Sequence, residues 1–527
     1  MASQAKGWSN ARSAAGRHNP WLIVAIISMA TFMEVLDTSI ANVSLSHIAG
    51  GLSATQDEAA WVLTSYLVSN AVIIPLSGWL ADMIGRKRYY MISVALFALS
   101  SFLCGMAPSL GFLIAARVFQ GVGGGGLAPS EQSILADTFP PEKRGQAFAA
   151  YGVVVVVGPI LGPTLGGWIT DNIGWHWIFL INVPVGIVSL ILVHSFLCEP
   201  EALKKERAEK LKRGVRIDYV GFALVALGLG FLELTLDRGE RDDWFASGFI
   251  TFAAIMSGVS LVLLVLWEFA HRDPVVNLRL MRNRNFAITW LFMVTTGFVL
   301  FGTTVLIPQF LQQVMGYNAT NAGLALTTGG LATLLAMPLT GVLTGRIDTR
   351  AQLIPALLMQ VFALYLMSGW SSDISYGDAS LARLISAAGL PFLFIPINTA
   401  AYVGLPPDQT NQASALLNVA RNLGGTLGIA IAQAMLIERG QAHQDRIVEQ
   451  LNPLNPNYTE GLAAIGRALG GAATESEAQL GVLYQQVQRQ AAALSYIDVF
   501  HTFMIVVLIL IPLAFFVRQG KSAGHGA

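Results

Sequence analysis

Apolar stretches of about 20 residues recur along the whole 527-residue chain, and each is the length a helix needs to cross hydrocarbon. No other feature limits the fold as strongly, because inside a bilayer every backbone N–H and C=O must find its partner within the chain. Hydropathy gives about fourteen such stretches. Their cores lie near 21–45, 60–81, 89–108, 111–133, 146–170, 175–197 and 218–236. The second set lies near 247–270, 286–313, 323–345, 352–370, 380–402, 412–437 and 500–518. Composition agrees, since only 12% of the residues are charged against about 25% in a soluble domain. The expected fold class is an all-α polytopic membrane protein.

The formal net charge of zero conceals a sorting of charge by side. One set of loops holds Arg86, Lys87 and Arg88, then Lys143 and Arg144, then Lys204, Lys205, Arg207, Lys210, Lys212, Arg213 and Arg216, then Arg279, Arg282 and Arg284. The opposite loops, "SSDISYGDAS" and "LDRGERDDWF", are acidic or mixed. Basic loops stay in the cytoplasm, and an even number of spans returns Arg518 and Lys521 to the same side. Residues 1–20 read as a cytoplasmic tail, because the apolar run after them is too long for a cleaved leader. The expected organisation is a first six-helix bundle at 21–197, a cytoplasmic basic loop at 198–217, two extra helices at 218–270, a second six-helix bundle at 271–518 and a cytoplasmic tail at 519–527. A polar segment, 438–499, interrupts the second bundle on the outer side. Its "ESEAQLGVLYQQVQRQAAAL" has helical spacing, and a solvated loop and a partner-docking element both remain open readings. Cys104 and Cys198 fall at opposite ends of their spans, too far apart to pair within one chain.

A faint repeat links the two halves: "GWLADMIGRKR" at 78–88 follows the second span and "GVLTGRIDTR" at 341–350 follows the tenth. Transporters are commonly built from such repeats, with the substrate site between them near the midplane.

Ionisable groups inside spans are costly and usually functional. Asp37 lies about 16 residues into the first span, roughly 24 Å from its inner end. Glu34 is on the same face one turn earlier. Arg117 enters the fourth span from the outside at a similar depth, so it can pair with Asp37; a static bridge and a proton-dependent one are both open. Glu131 lies further inward on the fourth span, as a cavity group or a helix-end carboxylate. Glu233 is in the outer half of the seventh span and Arg421 in the inner half of the thirteenth. Enzyme signatures are missing: "GGGG" at 123–126 has no G-K-[ST] after it, and "GKS" at 520–522 lacks the upstream glycine and strand. No Cys or His spacing suggests a metal. The chain is therefore expected to be a non-enzyme with no cofactor, driven by a proton gradient.

At this point the motifs match a family. "GWLADMIGRKR" resembles the inner-loop signature of the major facilitator superfamily, with Gly78, Leu80, Asp82, Gly85, Arg86 and Lys87 matching and Met83 departing. "RVFQGVGGG", with Arg117, Gln120 and Gly121, resembles its fourth-helix motif. "GPILGPTLGG" resembles the fifth-helix antiporter motif and comprises Gly158, Pro159, Gly162, Pro163, Gly166 and Gly167. "LDTSIANVSL", "FLINVPVG" and "LDRG" are similar to motifs of the fourteen-helix drug–proton antiporters, the EmrB/QacA group.

The resemblance implies two six-helix bundles plus two extra central helices, and export rather than uptake. It makes Asp37 the principal proton carrier, exchanging with Arg117, and Asp82 with Arg86 a gate latch. Gly158, Gly162 and Gly166 recur every fourth residue, which gives one smooth face for a second helix. The expected function is proton-coupled efflux of lipophilic or amphipathic drugs, with small-molecule drugs, protons and the lipid bilayer as partners. An inner-membrane location, a periplasmic membrane-fusion adaptor of the EmrA type docking on 438–499, and an outer-membrane channel are also implied; no nucleic acid is. A narrow-specificity exporter or symporter of the same fold, and a sensor without transport, stand as alternatives.

Overall fold

The computed structural model describes residues 18–199, 201–212, 218–271, 274–344, 346–452, 454–468 and 477–517. Fourteen long helices dominate it, and they follow the predicted spans in order. They are α1 (Pro20–Val43), α2 (Gln56–Ile84), α3 (Arg86–Gly105), α4 (Leu110–Thr138), α5 (Pro141–Asn172), α6 (Trp177–Phe196) and α7 (Tyr219–Arg238). The chain continues with α8 (Gly248–Ala270), α9 (Arg284–Gln313), α10 (Ala319–Leu343), α11 (Thr349–Ser368), α12 (Tyr376–Ala401), α13 (Thr410–Glu449) and α14 (Glu477–Ala514). Thirteen described helices are long and apolar enough to cross a membrane, and the 32-residue α5 occupies the remaining predicted position.

Polar residues mark where the spans begin. Asn19, Ser109, Asp218, Asn318 and Ser375 each accept a hydrogen bond from the first turn of the helix that follows. Thr55 and Glu58 cap α2 reciprocally, each side chain accepting from the other's backbone N–H. These caps satisfy N–H groups that have no partner within the helix. Between α2 and α3 the chain reverses at a single residue, Gly85, whose φ of +97° only glycine adopts without strain.

The helices pack in a repeated pattern. α1 lies on α5, α2 on α4, α3 on α4 and α3 on α6; α9 lies on α13, α10 on α12, α11 on α12 and α11 on α14. Across the halves α2 meets α13 and α5 meets α10. α7 packs on α2 and α8 on α7, at the side of the bundle. α8 turns Phe252, Ile255, Val259, Val262 and Leu266 outward, a face suited to lipid rather than water.

Two helices exceed the predicted spans. α13 continues to Glu449 and α14 begins at Glu477, so much of the segment 438–499 is a continuation of the flanking helices. A further helix, Pro456–Ala468, packs against α14. Hydropathy ends a span where polar residues begin, whereas the helical backbone continues as long as neighbours hold it. Here His443 meets Asp498 Oδ2 at 2.9 Å, joining α13 to α14. Arg489 Nε donates to the Val314 carbonyl at 2.5 Å and its Nη2 to Ser372 at 3.1 Å, which ties α14 to the loops after α9 and α11.

Candidate functional site

Asp37 is buried, and it is fully engaged. Arg117 Nη1 donates to its Oδ2 at 2.5 Å, while Gln120 Nε2 and Asn182 Nδ2 donate to its Oδ1 at 2.9 and 2.7 Å. Arg117 also donates through Nε to the Val62 carbonyl at 3.0 Å, and its guanidinium lies 4.3 Å from the centroid of Tyr66. Gln120 Nε2 reaches Ser101 Oγ at 2.7 Å. One ion pair thus gathers α1, α2, α3, α4 and α6, and the pairing offsets much of the desolvation of both charges.

Glu34 faces α2. Tyr66 Oη and Asn70 Nδ2 donate to its Oε1 over long distances, 3.3 and 3.4 Å. Tyr66 is shared between the two acids, its ring beside Arg117 and its hydroxyl on Glu34. Arg421 of α13 lies within electrostatic reach of Glu34 and of Tyr151. Glu131 is fully buried; Thr31 Oγ1 donates to Oε2, and Tyr90 Oη donates to Oε1 at 2.9 Å. Among the described residues Glu131 makes no ion pair, so its oxygens rest on hydroxyl donors alone. Glu233 stands apart. It accepts from Thr426 Oγ1 of α13 at 3.2 Å, and one turn on Asp237 accepts from Thr64 of α2 at 2.5 Å. Of the residues expected to couple protons, the structure therefore joins Asp37, Arg117 and Glu34 through Tyr66, holds Glu131 apart on Thr31 and Tyr90, and leaves Glu233 on the flank.

The glycines of α5 form a contact seam with α1. A Cβ at Gly158 would meet Val35 at 2.7 Å and one at Gly166 would meet Ile40 at 2.7 Å, while one at Gly162 would overlap Ser39. Gly167 faces open space and Pro159 is exposed; the side chain of Pro163 is outside the description. α5 stays one helix through both prolines. The second half has the same seam. A Cβ at Gly428 of α13 would meet the Phe298 carbonyl of α9 at 2.6 Å, and one at Gly424 would overlap Val294. The four-residue spacing in "GGTLG" carries that signal in the sequence, although the reading of the sequence passed over it.

At the basic end the inner-loop motif joins the halves. Asn411 Nδ2 of α13 donates to Asp82 at 2.5 Å, and Gly78 brings α2 so close to Gln412 that a Cβ would lie 2.8 Å from its Cα. Gly341 of α10 does the same against α5, with a Cβ 2.7 Å from Ala149. Gly78 and Gly341 each stand 22 residues after the start of their helix, so the faint repeat becomes two matching helix crossings. Arg86 pairs with Asp137 at the end of α4. Glu199 accepts from the Arg86 backbone N–H at 3.1 Å and is held by Arg207 at 3.1 Å, whose Nη1 also caps the Ile84 carbonyl at 3.2 Å. Lys87 Nζ donates to the His194 carbonyl at 2.7 Å. Asn411, Asp137, Glu199 and Arg207 lie too far from the motif in sequence to be read as its partners.

Comparison with known proteins agrees with this architecture. The Major Facilitator Superfamily profile matches residues 27–429. The chain is 36% identical over 506 residues to the multidrug export protein EmrB of Escherichia coli K12, covering 96% of both chains. It is 34% identical to the fatty acid resistance protein FarB of Neisseria gonorrhoeae, covering 96% of this chain and 97% of that one. The solved proton:xylose symporter XylE shares the fold at a TM-score of 0.61 and 14% identity, over 95% of this chain and 96% of that one. Two packed sets of six helices, the inner-loop contacts between the halves and the seam between α1 and α5 therefore belong to a multi-pass membrane transporter, and the chain is a member of the major facilitator superfamily, in the family of the EmrB multidrug export proteins.

Proposed function

We propose that this chain is a proton-coupled antiporter that exports lipophilic and amphipathic compounds by alternating access. The observation that carries this reading is the cluster of three membrane-buried carboxylates in α1 and α4, of which Asp37 is paired to Arg117 while Glu34 and Glu131 rest on hydroxyls and an amide. A carboxylate gains or loses a proton at the cost of rearranging its donors. Tyr66 touches both Glu34 and Arg117, so a proton arriving at one acid changes what the other acid's partners meet. Asp37 is the principal carrier, Glu34 and Glu131 extend the route, and Arg421 supplies a cation from the other half. Glu233 senses α13 from the flank. The names of the relatives, a multidrug exporter and a fatty acid resistance protein, support export of apolar and amphipathic molecules and leave room for a narrower range. The test is reconstitution with a pH dye inside the vesicles. Tetraphenylphosphonium or ethidium added to one face should release protons in wild type and not in Asp37→Asn. If no lipophilic compound moves protons, or if compounds accumulate with the proton flow instead of against it, the reading fails.

The basic end is assigned to the cytoplasm and the membrane to the inner membrane of a two-membrane cell. Asp82 with Asn411, and Arg86 with Asp137, then latch the cytoplasmic side shut. The outer ends of α13 and α14 project Val448, Leu480 and Tyr484, and the turn after α13 projects Leu454, all exposed; we assign this tip to a membrane-fusion adaptor that leads to an outer-membrane channel. Val487 and Ala491, part of the same apolar stripe, are buried and so face the protein's own body. Leu480→Asp with Tyr484→Asp should abolish co-purification of the adaptor and cellular resistance while transport in vesicles continues. Survival of both would make the projection a connection only.

A further inference from the structure

The second half buries an arginine without an anion. Arg383 of α12 is 7% exposed, and among the described residues its Nη1 and Nη2 donate only to the hydroxyls of Thr303 and Thr304 on α9, at 3.1 and 3.3 Å. Both threonines spend their own protons on the backbone, at Val299 (2.7 Å) and Leu300 (2.6 Å), so they act toward Arg383 as neutral acceptors. A guanidinium has five N–H donors in a planar fork. The Nε–H is buried with no partner among the described residues. Arg383 makes no ion pair among those residues either, and helices α9, α10 and α11 contain no acidic residue at all. Facing Nε on α10 is Gly329, where a Cβ would stand 2.9 Å from that nitrogen. Only glycine lets α10 come this close to Arg383 without a clash.

We propose that Arg383, Thr303 and Thr304 form an anion-recognition site that takes the carboxylate of an amphipathic substrate. The free edge of the guanidinium, Nε with one N–H of Nη2, matches the two oxygens of a carboxylate in a bidentate pair. Burial makes that pair worth more than it is in water and leaves the unliganded site with an uncompensated cation. The half-exposed Phe301 and Leu300, on the same helix, supply apolar surface for the tail. The proposal rests on the export reading for its meaning, but its test measures binding alone and needs no gradient. A failure of proton-driven export would therefore leave the binding result standing, and the reverse holds too.

The experiment is equilibrium binding of radiolabelled dodecanoate to the full chain in phosphatidylcholine nanodiscs, with dodecylamine and dodecanol as cationic and neutral comparators. Arg383→Gln should lose at least tenfold in dodecanoate affinity and change less than twofold toward the other two. Arg383→Lys should keep part of the affinity, because it keeps the charge and loses the fork. Gly329→Ala should weaken dodecanoate binding with Arg383 intact. The proposal is overturned if Arg383→Gln binds dodecanoate like wild type, or if all three probes weaken together. It is also overturned if chloride alone protects the wild-type fold through Arg383 and dodecanoate does not compete.

Discussion

Arg117 and Arg383 each stand seven residues after the start of their helix, α4 in the first half and α12 in the second, yet the two halves treat them oppositely. Around Arg117 the first half supplies Asp37, and nearby it adds Glu34 and Glu131. Around Arg383 the second half supplies two threonines, and α13 adds a second cation, Arg421. The scaffold is repeated, since both halves use the same helix pairs and the same glycine seams, but the interior charge is not. Duplicated packing gives two bodies that can rock on matching surfaces. On the two proposals above, this asymmetry of charge divides the work: proton exchange in the half with carboxylates and anion recognition in the half with Arg383.

The strongest way to break this comparison is Asp37→Asn, which leaves Arg117 as Arg383 stands. Substrate-stimulated proton release should fall by more than about a hundredfold, while the protein still reaches the membrane. Full coupling in that variant would remove Asp37 from the route. Next comes a pair of stability measurements. Arg117→Gln strands a buried carboxylate and should cost about 3 to 5 kcal/mol. Arg383→Gln removes an unpaired cation and should leave the thermal midpoint unchanged or higher. Equal losses would mean that Arg383 has an anionic partner and that the two sites are alike.

Smaller effects are expected where the halves agree. Gly162→Val, against the Ser39 side chain, and Gly428→Val, against the Phe298 backbone, both overfill a close helix contact and should cost about 1 to 3 kcal/mol. Turnover should fall several-fold in each, and a loss confined to one seam would show that only that half moves. The smallest effect belongs to the latch. Asp82→Ala removes the acceptor of Asn411 and should slow turnover about three- to tenfold with little change in substrate affinity. Accessibility labelling of the basic end should rise; lost affinity with unchanged labelling would place Asp82 in a substrate site instead.

Much of this was legible in the chain. The spans follow from the length and hydrophobicity of each stretch, because hydrocarbon leaves the backbone no other partner than its own helix. Asp37 and Arg117 were matched by counting residues from opposite ends, which works because a helix rises by a constant step. The face formed by Gly158, Gly162 and Gly166 follows from the same periodicity.

Other features depended on how the helices are arranged. Whether Glu131 meets a cation or hydroxyls depends on Thr31 and Tyr90, contributed by helices 100 and 41 residues away in sequence. The partner of Asp82 is 329 residues away, and only the crossing at Gly78 brings Asn411 to it. The ends of α13 and α14 ran past the hydropathy signal because Asp498 and Arg489 anchor them to neighbours. The sequence by itself determined what must be buried, since that is a property of each stretch and the solvent it enters. The sequence could match the depths of Asp37 and Arg117, but tertiary structure decided which buried charges make contact, because pairing needs an approach within a few ångströms and no local pattern specifies that distance.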